Sequence, residues 1–249
     1  MKILVLIPAR MGSSRFPGKP MAQILGQPMI SHVYKRAAES KIATTLAVAT
    51  CDEEIYQYIK SMGGIVVMTS GTHERASDRC AEALIKLENS SGIKYDVVVM
   101  IQGDEPMINP NMIAESIAPF SNESGIKVTN LMGKIDSEDE FQDRNCIKVV
   151  CDAELNAIYF SREPIPSSYR YKDFPKNKQV CVIAFDREYL IEYTETPPTP
   201  LEIIESIDML RVVENGDKVK MVPTNYKSFS VDTPEDLIRV EKLMGLSEH

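Results

Sequence analysis

Histidine is scarce in this chain, three among 249 residues, and its five cysteines are odd in number and scattered. Cys51, Cys80, Cys146, Cys151 and Cys181 form no C-x-x-C pair, so no zinc set is expected and they read as small reduced core residues. Basic charge is the minority sign: 28 Lys and Arg against 36 Asp and Glu leave a formal charge of −8. That balance excludes broad nucleic-acid or membrane-surface binding, so any anion site must be local. No apolar run reaches membrane-spanning length. The first apolar stretch stops at Pro8 and lacks the long core and small-residue cleavage site of a signal peptide, so the cytoplasm is the expected location. Internal repeats and low-complexity linkers are missing too. What remains is an ordinary globular composition, 43% hydrophobic and 26% charged, long enough for one large α/β domain or two small ones.

Apolar runs of strand length alternate with segments of helical period. "KILVLIPA", "TTLAVAT", "GIVVMTS", "YDVVVMIQ", "GIKVTNLM", "CIKVVCD", "QVCVIAF", "KVKMVPT" and a short "SFSVD" read as strands. Runs such as "VVVM" lack polar alternation, as expected for strands covered on both faces. "PMISHVYKRAAES", "DEEIYQYIKSMG", "SDRCAEALIKLENS", "NPNMIAESIAPF" and "PLEIIESIDMLRVVENG" read as helices. The alternation predicts an α/β fold with a mostly parallel sheet and helices on both faces. One stretch fits neither pattern: "SREPIPSSYRYKDFPKNK", around 161–178, is rich in proline, tyrosine and basic residues and reads as an interface or lid loop.

The chain turns sharply basic behind its first strand. In "ARMGSSRFPGK", Arg10, Arg15 and Lys19 share ten positions with flexible Gly12, Ser13, Ser14 and Gly18. Ligands of open α/β sheets sit beyond the carboxyl ends of strands, so these cations and the loop N–H groups can converge on a nucleotide triphosphate. The loop is neither a Walker A sequence, since five residues separate its glycines and Pro20 follows the lysine, nor a G-x-G-x-x-G. Pro20 disfavours helical geometry at Lys19, which predicts a lysine reaching out of an extended loop. A triphosphate calls for a divalent cation, and magnesium prefers one or two carboxylates together with phosphate oxygens and water. Asp104 in "VVVMIQGDEPMI" lies just past a buried strand, with Gly103 allowing close approach. In "FSVDTPEDL", Thr233 caps a helix, Pro234 suits its first position and Asp236 completes a capping box, which leaves Asp232 at a strand end.

"IPARMGSSRFPGKP", "HERASDR", "IQGDEPMI", "DRNCIKVV", "YFSREPIP", "TPLEIIESIDMLR" and "VDTPEDL" occur in the order seen in 3-deoxy-manno-octulosonate (Kdo) cytidylyltransferases, and the chain resembles that family from its first residue to its last helix. The resemblance implies a single Rossmann-like, GT-A-like nucleotidyltransferase domain over residues 1–249. It also implies a cytoplasmic homodimer acting in lipopolysaccharide biosynthesis. The implied reaction joins CTP to an acidic 2-keto-3-deoxy sugar, giving CMP-sugar and pyrophosphate by in-line attack of the anomeric hydroxyl on the α-phosphate. By the same resemblance Pro8, Ala9, Arg10, Ser14, Arg15, Lys19, His73, Arg79 and Gln102 hold the nucleotide, and Arg162, Gln179, Glu205 and Arg211 meet the sugar. Arg10, Lys19, Asp104 and Asp232 carry the chemistry, the two aspartates holding Mg²⁺.

The chain departs from the family pattern at several places. "HERASDR" stands for "H-Q-S-G-T-D-R", with Arg75 and Ala76 replacing serine and glycine, and Ala76 would be strained if that glycine adopts a positive φ. Cys51 stands for an aspartate. In the strand expected to form the sugar pocket, Gln179, Cys181, Ile183 and Phe185 replace histidine, glycine and two tyrosines, and Met209 replaces a glutamine. Losing those polar groups predicts a retuned sugar site. Two alternatives stand beside this reading: an acylneuraminate-type cytidylyltransferase, and a non-catalytic nucleotide-sugar-binding paralogue.

Overall fold

The structure, a computed structural model, describes residues 1–12, 16–171 and 173–247. Its first elements are β1 (Ile3–Ala9), β2 (Gln23–Ile24), β3 (Gln27–Pro28), α1 (Met29–Ala38), β4 (Thr45–Thr50), α2 (Glu53–Ser61), β5 (Ile65–Met68), α3 (Ala76–Ser91), β6 (Val97–Ile101) and α4 (Asn111–Asn122). There follow β7 (Val128–Lys134), α5 (Glu138–Gln142), β8 (Lys148–Cys151), β9 (Ala157–Ser161), β10 (Asn177–Asp186), α6 (Arg187–Glu195), α7 (Pro200–Glu205), α8 (Met209–Glu214), β11 (Val219–Pro223) and α9 (Pro234–Ser247). Two compact units result, Met1–Ala114 with Ser228–His249, and Glu115–Lys227.

The first unit is built on parallel strands in the order β6-β1-β4-β5. Every residue of β1 and β6 is buried, so both faces of these strands are covered, as their unbroken apolar sequence requires. The C-terminal segment belongs to this unit. Val231, Val240 and Met244 close a small apolar cluster with Ile24 and Met29, against which Phe16, Met107, Phe229 and Leu237 pack. That cluster fixes the approach of the chain into α9 and therefore the position of Asp232.

In the second unit β7 pairs with β11 in parallel and with β10 antiparallel, and β8 joins β10 and β9 antiparallel. The whole is the expected mixed α/β arrangement. Several elements differ from the sequence expectation, and β2, β3, α5 and α6 form where none was expected. "SFSVD" forms no strand; Val231 instead gives its N–H to the Asp104 carbonyl at 2.9 Å. Strand β9 forms although no clean alternation marks it. The long helix expected over "PLEIIESIDMLRVVENG" is broken into α7 and α8, because Ser206 turns to a φ of +54°. Arg162 supports the break, donating from Nε to the Glu205 carbonyl at 2.6 Å and from Nη2 to the Ser206 carbonyl at 3.2 Å.

None of the five cysteines forms a disulfide. Cys80 is buried as expected for a core residue, but the other four are only half-buried. Burial pushes the Cys80 thiol far above its usual range and lifts Cys146 and Cys151 to about 11, so these three stay protonated at neutral pH. No helix among the described residues is long and apolar enough to cross a membrane.

Candidate active site

The basic loop leaves β1 at Ala9, with Pro8 and Ala9 still buried in the strand and Arg10 exposed. Two contacts fix its base: the Met11 N–H donates to Asp52 Oδ2 at 2.8 Å, and the Gly18 N–H donates to the Met11 carbonyl at 3.0 Å. Ser14 and Arg15 lie outside the described residues. Lys19 does not sit in an extended loop as Pro20 suggested. It opens a short 3₁₀ turn, Lys19–Met21, because Gly18 takes the left-handed conformation (φ 74°) and Pro20 has the φ that a first helical turn needs. The turn aims the lysine at the carboxylates.

Asp104 follows β6 through Gln102 and Gly103. A Cβ on Gly103 would lie 3.2 Å from the Pro8 carbonyl and 3.3 Å from Ile30 Cδ1, so the missing side chain lets the loop close down on the end of β1. On the other side the capping box forms. The Asp236 N–H donates to Thr233 Oγ1 at 3.2 Å, and Asp236 Oδ2 accepts from the N–H groups of Asp232 and Thr233. Asp236 thus takes the capping work and the Asp232 carboxylate turns to Lys19. A further tie joins the same segments: Ser228 Oγ donates to the buried Glu105 at 2.7 Å.

The two aspartates converge on one ammonium group. Lys19 Nζ donates to Asp104 Oδ2 at 2.7 Å and lies 3.5 Å from Asp232 Oδ1, with all three side chains 14–17% exposed. The three side chains form a partly desolvated charge cluster. No group of three or more His, Cys, Asp or Glu that could enclose a metal ion occurs among the described residues. The donor set here is a pair of hard carboxylate oxygens on a solvent-reachable edge, which fits a magnesium ion that completes its shell with phosphate oxygens and water.

A second set of the residues expected to hold the nucleotide sits where β5 leads into α3. Arg79 is only 2% exposed; its Nη1 donates to Thr69 Oγ1 at 2.6 Å and to the Ser70 carbonyl at 3.3 Å. Arg79 Nη2 and Ser77 Oγ are buried with no hydrogen-bond partner among the described residues, a costly state that a hydrogen-bonding ligand would relieve. Ala76 is the first residue of α3 and has no positive φ, so replacing the family glycine brings no strain there. His73 is engaged with Glu82, which also accepts from Lys86 and the Ser70 N–H. Burial alone would raise the Glu82 pKa, but the hydrogen bonds from Lys86, Ser70 and His73 bring it down to about 2. His73 therefore orders the loop before α3. Gln102 is half-buried beside Asp104 in sequence.

The residues expected to meet the sugar all lie in the second unit. Glu205 accepts from Ser161 Oγ at 2.9 Å, from the Arg162 N–H at 2.9 Å and from the Tyr159 hydroxyl at 3.3 Å. Arg162 spends its guanidinium on carbonyls of Glu205, Ser206 and Arg144. Gln179 donates from Nε2 to Asn130 Oδ1, while Asn130 Nδ2 donates to the Val180 carbonyl at 2.7 Å. Arg211 is 2% exposed and forms a two-pronged ion pair with Glu202, Nε to Oε2 and Nη2 to Oε1, both at 2.7 Å. Its Nη1 donates to the carbonyls of Tyr193 and Thr196. This guanidinium locks α7, α8 and the end of α6 together rather than reaching for a ligand. Ile183, Phe185 and Met209 are likewise buried, Phe185 against Tyr193. These three departures from the family pattern are core changes, and the retuning argument narrows to half-exposed Gln179 and Cys181.

Comparison with known proteins settles the kinship. The cytidylyltransferase family profile matches residues 4–221. The chain belongs to the 3-deoxy-manno-octulosonate cytidylyltransferase family. Curated relatives of that name include one from Geobacter metallireducens, 40% identical over 98% of both chains. Another, from Solibacter usitatus, is 42% identical over 99% of this chain and 96% of its own. Among solved structures, a CMP:2-keto-3-deoxy-manno-octonic acid synthetase complexed with CTP superposes with a TM-score of 0.90 at 34% identity, covering 99% of this chain and all of the other. Family membership accounts for the motif order; the Arg79 and Ser77 orphan donors are a signal that only coordinates reveal.

Proposed function

We propose that this chain activates an acidic 2-keto-3-deoxy sugar, Kdo or a close relative, with CTP, releasing pyrophosphate and leaving CMP on the anomeric oxygen. The observation that carries the reading is the convergence of Asp104 and Asp232 on Lys19 Nζ at the ends of separate segments. Phosphoryl chemistry of this kind asks for positioning and charge stabilisation rather than a covalent nucleophile. Arg10, Arg15 and Lys19 neutralise the triphosphate and the departing pyrophosphate. The buried Arg79 Nη2 and Ser77 Oγ offer donors for the cytidine, and Pro8, Ala9, Ser14, His73 and Gln102 shape the same region. Asp104 and Asp232 hold Mg²⁺, which supplies Lewis acidity at the α-phosphate and toward the sugar hydroxyl. Glu205 and Gln179 are the polar groups for the sugar, with Arg162 holding Glu205 in position.

The whole chain works as one catalytic domain in the cytoplasm, where CTP is made, and feeds lipopolysaccharide synthesis. It acts as a homodimer: Tyr169 and Tyr171 stand 90% and 77% exposed on the loop after β9, bare aromatic surface that suits a second copy. Light scattering measures that state.

Pyrophosphate release from CTP, assayed with Kdo, other 3-deoxy acids and N-acetylneuraminate, tests the activity. Turnover is expected with Kdo or a near analogue. Preference for N-acetylneuraminate would favour the acylneuraminate alternative, and CTP binding without release for any sugar would favour the non-catalytic one. Asp104→Asn and Asp232→Asn should each lose roughly thousands-fold in rate while staying folded. A variant within a few-fold of wild type removes its residue from the site.

A further inference from the structure

We infer that Lys19 is a resident cation exchanged during binding: in the ligand-free protein its ammonium occupies the space between Asp104 and Asp232, and it leaves for the triphosphate when nucleotide arrives. This rests on the reading of that pair as the metal-holding carboxylates, and it adds a coupling between metal and nucleotide which that reading does not require.

The geometry supplies three parts of the device. Lys19 lies 2.7 Å from one carboxylate and 3.5 Å from the other, so its ammonium takes the place a divalent ion would need between them. The backbone that carries the two aspartates is held by contacts that do not involve the lysine. The Asp104 carbonyl takes the Val231 N–H, Glu105 takes Ser228 Oγ, and Asp232 opens the Thr233–Asp236 capping box. The pair therefore stays assembled when Lys19 departs. The lysine itself springs from a one-turn 3₁₀ segment, so its long side chain can re-aim without moving the loop base that Asp52 and Gly18 pin.

The energetic consequence is directional. Without nucleotide, a metal ion must compete with the Lys19 ammonium for the two carboxylates. With a triphosphate present, Lys19 exchanges two carboxylates for phosphate oxygens and the carboxylates become accessible together. Lys19 thus suppresses metal binding to the empty protein and makes nucleotide and metal favour one another.

Mn²⁺ binding to the full-length protein, read from the electron paramagnetic resonance signal of the unbound ion, tests this without turnover. Lys19→Met should bind Mn²⁺ in the absence of CTP roughly tenfold more tightly than wild type, a gain typical of coupling between sites. Lys19→Gln should behave alike, and thermal melts show that both are folded. The gain should vanish in Lys19→Met combined with Asp104→Asn. Equal or weaker Mn²⁺ binding by both lysine variants would overturn the exchange, as would a gain that survives Asp104→Asn. If instead Asp104→Asn and Asp232→Asn leave Mn²⁺ binding in the presence of CTP unchanged, the carboxylate pair itself is misassigned, a result distinct from failure of the exchange.

Discussion

Replacing Glu202 with glutamine isolates the buried ion pair that joins α7 to α8. The glutamine keeps a side-chain oxygen for the Thr199 N–H, which Glu202 now accepts at 3.2 Å, so the helix cap survives while the charge is lost. Arg211 is then left with its charge in the interior. The Tyr193 and Thr196 carbonyls, the Tyr193 ring 4.5 Å from the guanidinium and the charge of Asp208 remain to stabilise it. The side chains are 3% and 0% exposed, so water cannot compensate. Breaking a buried pair from one side costs about 3–5 kcal/mol. At about 2–4 °C per kcal/mol for a chain of this length, the midpoint should fall by about 6–20 °C. Scanning calorimetry of Glu202→Gln measures it, and a drop under about 2 °C would refute the argument that desolvation of Arg211 is the governing term. The double replacement Glu202→Leu with Arg211→Met should recover to within about 2 kcal/mol of wild type, because two apolar side chains remove the stranded charge. That double variant also decides the role of Arg211. An unchanged KM for the sugar is expected; a rise of about tenfold, or about 1.4 kcal/mol, would return Arg211 to the sugar site.

Two further outcomes follow from the same contacts. Lys148 is fully buried and donates to the carbonyls of Asp143, Cys146 and Arg162 at 2.6–2.8 Å, so Lys148→Met strands three acceptors and should cost about 3 kcal/mol or more in urea denaturation. Glu82 has a folded pKa lowered from 4.5 to about 2, so its stabilising contribution is complete above pH 4.5 and fades as the pH falls toward 2. The gap in urea midpoint between wild type and Glu82→Gln should therefore be wider at pH 7 than at pH 3, and an equal gap at both would count against the His73–Glu82–Lys86 network.

The sequence by itself determined the elements whose signals are short-range. Unbroken apolar runs specified β1 and β6, because a strand buried on both faces tolerates no polar alternation. "DTPED" specified the start of α9, since Thr233, Pro234 and Asp236 satisfy the first turn among themselves. Motif order also made the family legible. Only the tertiary structure decided what those elements do to one another. Lys19 and Asp104 are 85 residues apart, and no local pattern says that an ammonium will stand between Asp104 and Asp232. The fate of Arg211 was hidden for the same reason: an arginine written near the end of a helical run can face a ligand or a buried carboxylate. The bend at Ser206, stabilised by Arg162 from 44 residues away, selects the carboxylate by turning α7 back toward α8. Propensity and capping act over a few residues and survive in the linear text. Charge pairing and desolvation depend on distances that exist only once the chain has folded.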